Sequence, residues 1–470
     1  MSVNSLQITG LRGFAQTEQL ELAVPNGKVG SGITALVGPN NSGKSTIIEA
    51  FAALTKDSPT FPDIARNQHA QERVRIETTN HLGETKILRT VDNGGAGTTW
   101  EHREVLPHPS DIFVLPSRRT FNPFFGKGEM SRDQYVMNVG LPVFRGASND
   151  QFYFRIFEME KNKAHINVLL SRVMNNVPDW YIDLSANNQY YMKFRYGASY
   201  HNSDGLGEGV VSLLFIVDAI YGASNGSMIV IDEPELSLHP SLQKRLFTLL
   251  AEEAKRLQIV YATHSPYFIE WNAILSGAKI VRVNRESDRI VLYTPKEKTI
   301  TALRKIITKN RKNPHVLGLD AREVFFSEDG IVLVEGQEDV LCYKEMAEQL
   351  DCKVLGTFFG WGVGGAGNMK PIATFLSELG FRRVVGILDN NMRLLKGKLE
   401  KALTDYQFFV IPADDVRPKP DKSIEGLLDD DWVLRDKYRE DMRNLFLNVN
   451  EALSRPASVN KRTGLTPSDG

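Results

Sequence analysis

Two groups of residues in this chain have types and spacings suited to phosphate and metal chemistry. The first is Gly38-Pro39-Asn40-Asn41-Ser42-Gly43-Lys44-Ser45-Thr46, which follows the short apolar run Ile33–Val37 and leads into a helix-forming run ending at Leu54. Strand, glycine loop and helix in that order make a phosphate-binding P-loop. Its glycines let backbone N–H groups curl round phosphate oxygens, and the helix N-terminus adds partial positive charge. In this pattern Lys44 reaches the β- and γ-phosphates of ATP and the Ser45 hydroxyl holds Mg²⁺, while Gly38, Asn40, Asn41, Ser42, Gly43 and Thr46 complete the cradle. A chance glycine turn is the bland alternative; all the fixed positions, in context, weigh against it. Downstream, Met228-Ile-Val-Ile-Asp232-Glu233 is an apolar strand ending in two carboxylates. With a P-loop upstream, Asp232 suits the Mg²⁺ and Glu233 suits the base for an attacking water.

The second group is acidic. Val332-Leu-Val-Glu335-Gly336 ends one apolar strand and precedes Glu338-Asp339 at a helix start, and Val385-Gly-Ile-Leu-Asp389-Asn390-Asn391 ends another. Carboxylates converging at the carboxyl ends of parallel strands suit a hard cation, Mg²⁺ or Mn²⁺. Singly, Asp339 reads as a helix cap and Asp389-Asn390-Asn391 as a turn. Together, with the glycine loop 362–368 between them, Glu335, Asp339 and Asp389 read as a metal site.

The elements that must position these groups follow from length and pattern. A chain of 470 residues exceeds one ordinary core, so two or three domains are expected. Net charge is −1, which excludes a global basic field for nucleic acid. Two cysteines make neither a disulfide framework nor a zinc site, and a reducing, cytoplasmic setting fits. No secretory leader or bilayer-length apolar run is read. Residues 1–119 and 201–312 read as two parts of one α/β nucleotide domain, separated by a mainly helical insertion over 120–200, which suits a dimerisation arm. Residues 313–328 read as a linker, 329–453 as a smaller domain of alternating strands and helices with a parallel sheet, and 454–470 as a polar tail. Basic stretches at 299–312 and 393–401 suit DNA phosphates or equally a solvated helix face.

The nucleotide features together resemble ABC-type ATPases of the SMC/Rad50/RecF kind, and Glu335-Gly-x-x-Asp339 with Asp389 resembles a Toprim domain. An ABC-type ATPase followed by Toprim resembles the OLD (overcoming lysogenisation defect) family of ATPase–nucleases. The resemblance implies Arg12 near the adenine. His264 in Ala262-Thr-His-Ser-Pro266 matches the switch histidine at the γ-phosphate. The best match to the signature loop is Leu206-Gly207-Glu208-Gly209, or 203–205 in another register, where Gly207 and Gly209 of one copy complete the ATP site of a second. Ser117-Arg118-Arg119 stands where the family has a glutamine loop. Glu425 in Ser-Ile-Glu matches a further metal ligand, and Lys461 is a candidate cation for transition-state charge. Where the family has a second aspartate, this chain has Asn391, which ligates only through a neutral carbonyl.

The function implied is an ATP-regulated, Mg²⁺- or Mn²⁺-dependent DNA endonuclease or nickase in bacterial anti-phage defence. It would act as a homo-oligomer, with DNA and other defence subunits as partners and no membrane. The alternative is an ATP-dependent scaffold or sensor whose second site has lost its chemistry at Asn391. A RecF-like repair ATPase leaves the C-terminal domain unexplained.

Overall fold

Three apolar runs, Ile33–Val37, Gln258–Ala262 and Met228–Asp232, form adjacent parallel strands in which every residue is buried. Continuous rather than alternating apolar sequence is what a strand covered on both faces needs. The computed structural model describes residues 2–454, apart from 72, 92–94, 106, 140–147, 203–204, 206, 310–317, 328–329, 420 and 422. Within these the chain divides into two compact units, Met1–Pro295 and Lys296–Gly470.

The first unit contains a six-stranded sheet in the order Arg289–Tyr293, Lys279–Glu286, Ile33–Val37, Gln258–Ala262, Met228–Asp232, Ile112–Leu115. Its pairs are parallel except at the Arg289–Tyr293 edge. An antiparallel five-stranded sheet runs Glu18–Glu21, Val3–Thr9, Arg75–Asn80, Thr85–Thr90, Thr98–Glu101. One apolar core joins the two sheets to helix Lys44–Leu54: Leu6, Ile8, Ile76 and Leu88 meet Ile47, Phe51, Val230 and Val260. The P-loop is therefore anchored on both sides by packed apolar surface.

Region 120–200 holds more helix than strand, and it adds a small sheet to its helices. Helices Arg132–Asn138, Tyr153–Lys161 and Lys163–Val173 accompany an antiparallel sheet in which Tyr190–Tyr196 pairs with Phe124–Phe125, Asp179–Leu184 and Ser199–Asn202. The reason is a period of two: Met192 and Phe194 turn inward together with Trp180, and their neighbours turn out. This region grips helix Glu208–Tyr221. The Phe152 and Phe215 rings stack at 3.6 Å, and Arg155 pairs with Asp218, both side chains being 2% exposed or less.

The second unit has a parallel sheet in the order Thr357–Phe358, Ile331–Leu333, Val384–Leu388, Gln407–Val410. Val332, Val385 and Ile387 pack with helices Gln337–Gln349 and Arg439–Ser454. Ile331, Leu333 and Leu388, which alternate with them, are buried as well, so both faces are covered. The basic helix assigned to the end of the first domain, observed as Glu297–Lys309, falls in the second unit. Its Leu303 and Ile307 are buried, and the Lys296 N–H just before it donates to Glu378 at 2.7 Å.

The Arg155–Asp218 pair sets a test of how the region 120–200 is attached. Removing one partner of a buried ion pair strands the other charge and costs about 3–5 kcal/mol. Asp218→Ala is expected to lower the unfolding free energy of the first unit by that amount, measured by chemical unfolding. A change under about 1 kcal/mol would show that the pair does not anchor the region.

Candidate functional site

The P-loop conformation leaves no room for other residues at its glycines. Gly38 and Gly43 have φ of 136° and 108°. A Cβ on Gly38 would lie 2.2 Å from the Val283 carbonyl oxygen, and one on Gly43 would lie 2.2 Å from Ile290 Cδ1. Asn41 also takes a left-handed turn, at φ 60°. Lys44 Nζ donates to the carbonyls of Gly38 at 2.9 Å and Pro39 at 2.7 Å, curling the loop over the helix start. Asn40 and Asn41 are exposed, while Ser42 Oγ is buried without a hydrogen-bond partner among the described residues. Ser45 and Thr46 lie in the first turn of a helix that no side chain caps, which suits an anion there.

Register brings the other residues alongside. Asp232 lies opposite Ala262, and Ala262 opposite Leu36, so the loops after all three strands emerge at one sheet edge. Glu233 has φ 49°, an uncommon conformation costing on the order of 1 kcal/mol, and its N–H donates to the Ala262 carbonyl at 2.9 Å. Burial lowers the His264 pKa; the nearby Lys44 charge adds to that and Glu233 opposes it. His264 is therefore neutral at pH 7, and it shares the electrostatic reach of Lys44 and Glu233. Its backbone N–H donates to Glu235 at 2.6 Å.

Two residues here were not singled out from sequence. Arg119, 3% exposed, donates to the carbonyls of Asp232 and Glu233. Glu235 is a carboxylate whose pKa burial raises. A basic residue after a strand carries no pattern of its own, so Arg119 was legible only as the occupant of the glutamine-loop position. Glu235 had a fainter signal, its place two residues after Glu233.

The other nucleotide candidates are placed less centrally. Arg12 makes a two-pronged bond to Glu49 on the P-loop helix, at 2.5 and 3.1 Å, which raises its pKa. Gly207 is the exposed N-cap of helix Glu208–Tyr221. Gly209 is buried, and a Cβ there would lie 2.5 Å from the Ser237 carbonyl oxygen, so its glycine serves packing within the chain. Leu206 and residues 203–204 lie outside the described residues.

In the second unit, Glu335 and Asp389 meet. The Asp389 N–H lies 3.4 Å from Glu335 Oε1, and the Gly365 N–H donates to the Glu335 carbonyl at 2.8 Å. Gly362, at φ 87°, approaches Gly336 so closely that a Cβ would lie 2.7 Å from its Cα. The glycine loop is thus folded onto the Glu335 turn. Asp339 is buried and accepts from the Gly336 N–H at 2.8 Å, which makes it a helix cap as well as a member of the cluster. Burial pushes Asp389 up to about 8 and Asp339 up to about 6, and in each case the neighbouring carboxylates push further. Glu335 is raised for the same reason. Asp415, 7% exposed, is a fourth carboxylate acting on all three, and it is ion-paired with Lys419.

Two candidates do not join this cluster, and a third lies outside the described residues. Asn391 is exposed, and its side-chain amide donates to the Asp414 carbonyl at 3.3 Å. Glu425, assigned as a ligand, is instead exposed and paired with Lys437 and Arg435. Lys461 lies outside the described residues. The donor chemistry of Glu335, Asp339, Asp389 and Asp415 suits a hard cation. Among the described residues, however, no three acidic, histidine or cysteine side chains converge on a single ion position.

Residues 5–168 match a family model described as "AAA domain", and residues 136–270 match one described as "AAA domain, putative AbiEii toxin, Type IV TA system". With the P-loop and the Asp232–Glu233 strand end, these matches mark the first unit as a P-loop ATP-binding domain. More particularly, the chain is similar to an OLD nuclease from Thermus scotoductus, 34% identical over 129 residues. That match spans 26% of this chain and 23% of the relative, about a quarter of each. The resemblance to OLD-type ABC ATPases is thereby borne out. Among solved structures, the SMC head domain from Thermotoga maritima is 15% identical, with 63% of this chain and 100% of that chain covered and a TM-score of 0.38. The Smc head domain from Pyrococcus furiosus, with an extended coiled coil and bound to the C-terminal domain of ScpA, is 12% identical, with 66% and 100% covered and a TM-score of 0.39. The architecture rests on the strand order and register described above.

The crowded carboxylates fix a pH dependence. Asp389 titrates at about 8 in the folded chain against 3.8 ordinarily, so between these values the folded chain holds a proton that the unfolded chain has released. Stability then falls as pH rises through that window and levels off above it. The thermal midpoint of the second unit, measured without divalent cations, is expected to fall from pH 5 to pH 8. Asp389→Asn should flatten the slope; an unchanged slope would contradict the crowding.

Proposed function

We propose that this chain is an ATP-regulated, metal-dependent DNA endonuclease or nickase of the OLD type, with its nuclease chemistry in the second, Toprim-like unit. The observation that carries the reading is the meeting of Glu335 and Asp389 at the carboxyl ends of adjacent parallel strands, with the Asp339 carboxylate near enough to act on Asp389, in a chain that also holds a nucleotide site. In the first unit Lys44 and the P-loop amides bind the ATP phosphates, with Arg12 toward the adenine. Ser45 and Asp232 hold Mg²⁺. Glu233 takes the proton from a water that attacks the γ-phosphorus as the bond to the bridging oxygen breaks, and His264 lies at the γ-phosphate. The Gly207 end of helix Glu208–Tyr221 from a second copy completes the site, which makes ATP a link between two copies; region 120–200 adds to that contact.

In the second unit Glu335, Asp339 and Asp389 hold Mg²⁺ or Mn²⁺. The chemistry a divalent cation supplies there is charge neutralisation of a DNA phosphate and activation of water. Asp415 supplies the negative charge that Asn391 lacks. Basic helices Glu297–Lys309 and Arg393–Ala402 contact DNA phosphates. Anti-phage defence in the bacterial cytoplasm, with further subunits, is the setting in which such a chain would act. No helix among the described residues is long and apolar enough to cross a membrane.

A second reading is favoured by one observation: Asn391 is neutral and turned onto the Asp414 carbonyl. On that reading the second unit has lost its chemistry, and the chain is an ATP-dependent scaffold. Supercoiled plasmid incubated with purified chain and Mg²⁺ or Mn²⁺ separates the two. The nuclease reading expects nicking or cutting that falls to background in Glu335→Ala and Asp389→Ala. Inactivity of the wild type in both metals, or cutting unaffected by either substitution, would overturn it.

A further inference from the structure

Arg119 is a buried cation at the nucleotide edge, and its guanidinium donates to a hydroxyl and three backbone carbonyls. Nε donates to Ser212 Oγ at 2.7 Å, one terminal nitrogen to the Pro116 and Asp232 carbonyls at 2.7 and 2.9 Å, and the other to the Glu233 carbonyl at 2.8 Å. Four of the five N–H donors in its rigid plane are therefore engaged. Two acceptors belong to the consecutive residues Asp232 and Glu233. Successive carbonyls in a strand point opposite ways, so both reach one guanidinium only because the chain turns at Glu233, where φ is 49°. Ser212 lies on helix Glu208–Tyr221, whose N-cap is Gly207. Arg119 itself directly precedes region 120–200, where the Thr120 carbonyl accepts from the Asn149 N–H at 2.6 Å. Burial pushes the guanidinium down to about 10, still charged at pH 7, and Glu235, Asp232 and Glu233 balance it.

We infer that Arg119 is a positioning residue for ATP hydrolysis: it locks the turned backbone at Glu233 and ties that turn to the helix carrying Gly207. The inference rests on the reading of the first unit as a hydrolysing ATPase. A neutral glutamine makes fewer bonds and could not span the same four acceptors. Lysine keeps the charge but places its donors on a single nitrogen, so it cannot reach the acceptors as a plane does.

The test uses the full chain, with steady-state ATP hydrolysis beside binding of a fluorescent non-hydrolysable ATP analogue with Mg²⁺. Arg119→Lys is expected to lower kcat roughly 10–100-fold while analogue affinity changes less than about threefold, the pattern of a group that acts in the transition state alone. Ser212→Ala, which removes one acceptor and leaves the bonds to Asp232 and Glu233, should lower kcat by a smaller factor, about threefold. An unchanged kcat, or kcat and affinity falling together, would overturn the inference, since a merely structural bracket weakens both. Should Arg119→Lys fail to fold, Ser212→Ala decides by the same criterion. Wild-type hydrolysis that Glu233→Gln abolishes is the control. Without Glu233-dependent hydrolysis the ATPase reading itself fails; with it, a fully active Arg119→Lys removes only this inference.

Discussion

Parallel register is the constraint on which both candidate sites depend. Parallel strands deliver all their following loops to the same sheet edge. With Ile33–Val37, Gln258–Ala262 and Met228–Asp232 adjacent and in step, the P-loop, His264 and the Asp232–Glu233 turn have nowhere else to go. The second unit repeats the logic with Ile331–Leu333 beside Val384–Leu388, which brings Glu335 to Asp389. Residues 232 and 264 are brought beside residue 44 by backbone pairing between fully apolar strands, so the site's precision is set by the core and not by its loops.

The two edges handle charge differently. At the first, the carboxylates of Asp232, Glu233 and Glu235 act on the buried Arg119 guanidinium and favour its charge against burial. At the second, Glu335, Asp339, Asp389 and Asp415 face one another with Lys419 as the near cation, and the result is a raised affinity for protons. Carboxylates held together against their own repulsion store free energy that a divalent cation or protons can release. That imbalance supports reading the second unit as a metal site, although the side chains do not close around one point.

Much of this was legible in the sequence where the signal is local. The Ile33–Val37 strand and the strand ending at Asp232 were read at their observed places, because a continuous apolar run carries its own signal. The sheet around Tyr190–Tyr196 was missed because its partners carry little alternation: Trp180 alone is buried in Asp179–Leu184, none is in Ser199–Asn202, and Phe124–Phe125 is two residues long. The basic helix was assigned to the wrong unit because polarity marked a boundary, while its buried Leu303–Ile307 stripe fixes where it packs. Arg119 was given no role because it acts across more than a hundred residues, on Asp232 and Glu233, which no local pattern links to it. Glu425 shows the converse, a motif match whose side chain is taken by Lys437 and Arg435.

The central claim is that one chain holds two cation sites, one that needs nucleotide and one that does not. Electron paramagnetic resonance of Mn²⁺ titrated into the purified full chain counts them directly. Without nucleotide, a Mn²⁺ population should bind and be lost in Glu335→Ala; adding ATP should create a second population that Lys44→Ala removes and Glu335→Ala spares. No nucleotide-independent Mn²⁺ binding, or binding indifferent to Glu335, would contradict the account.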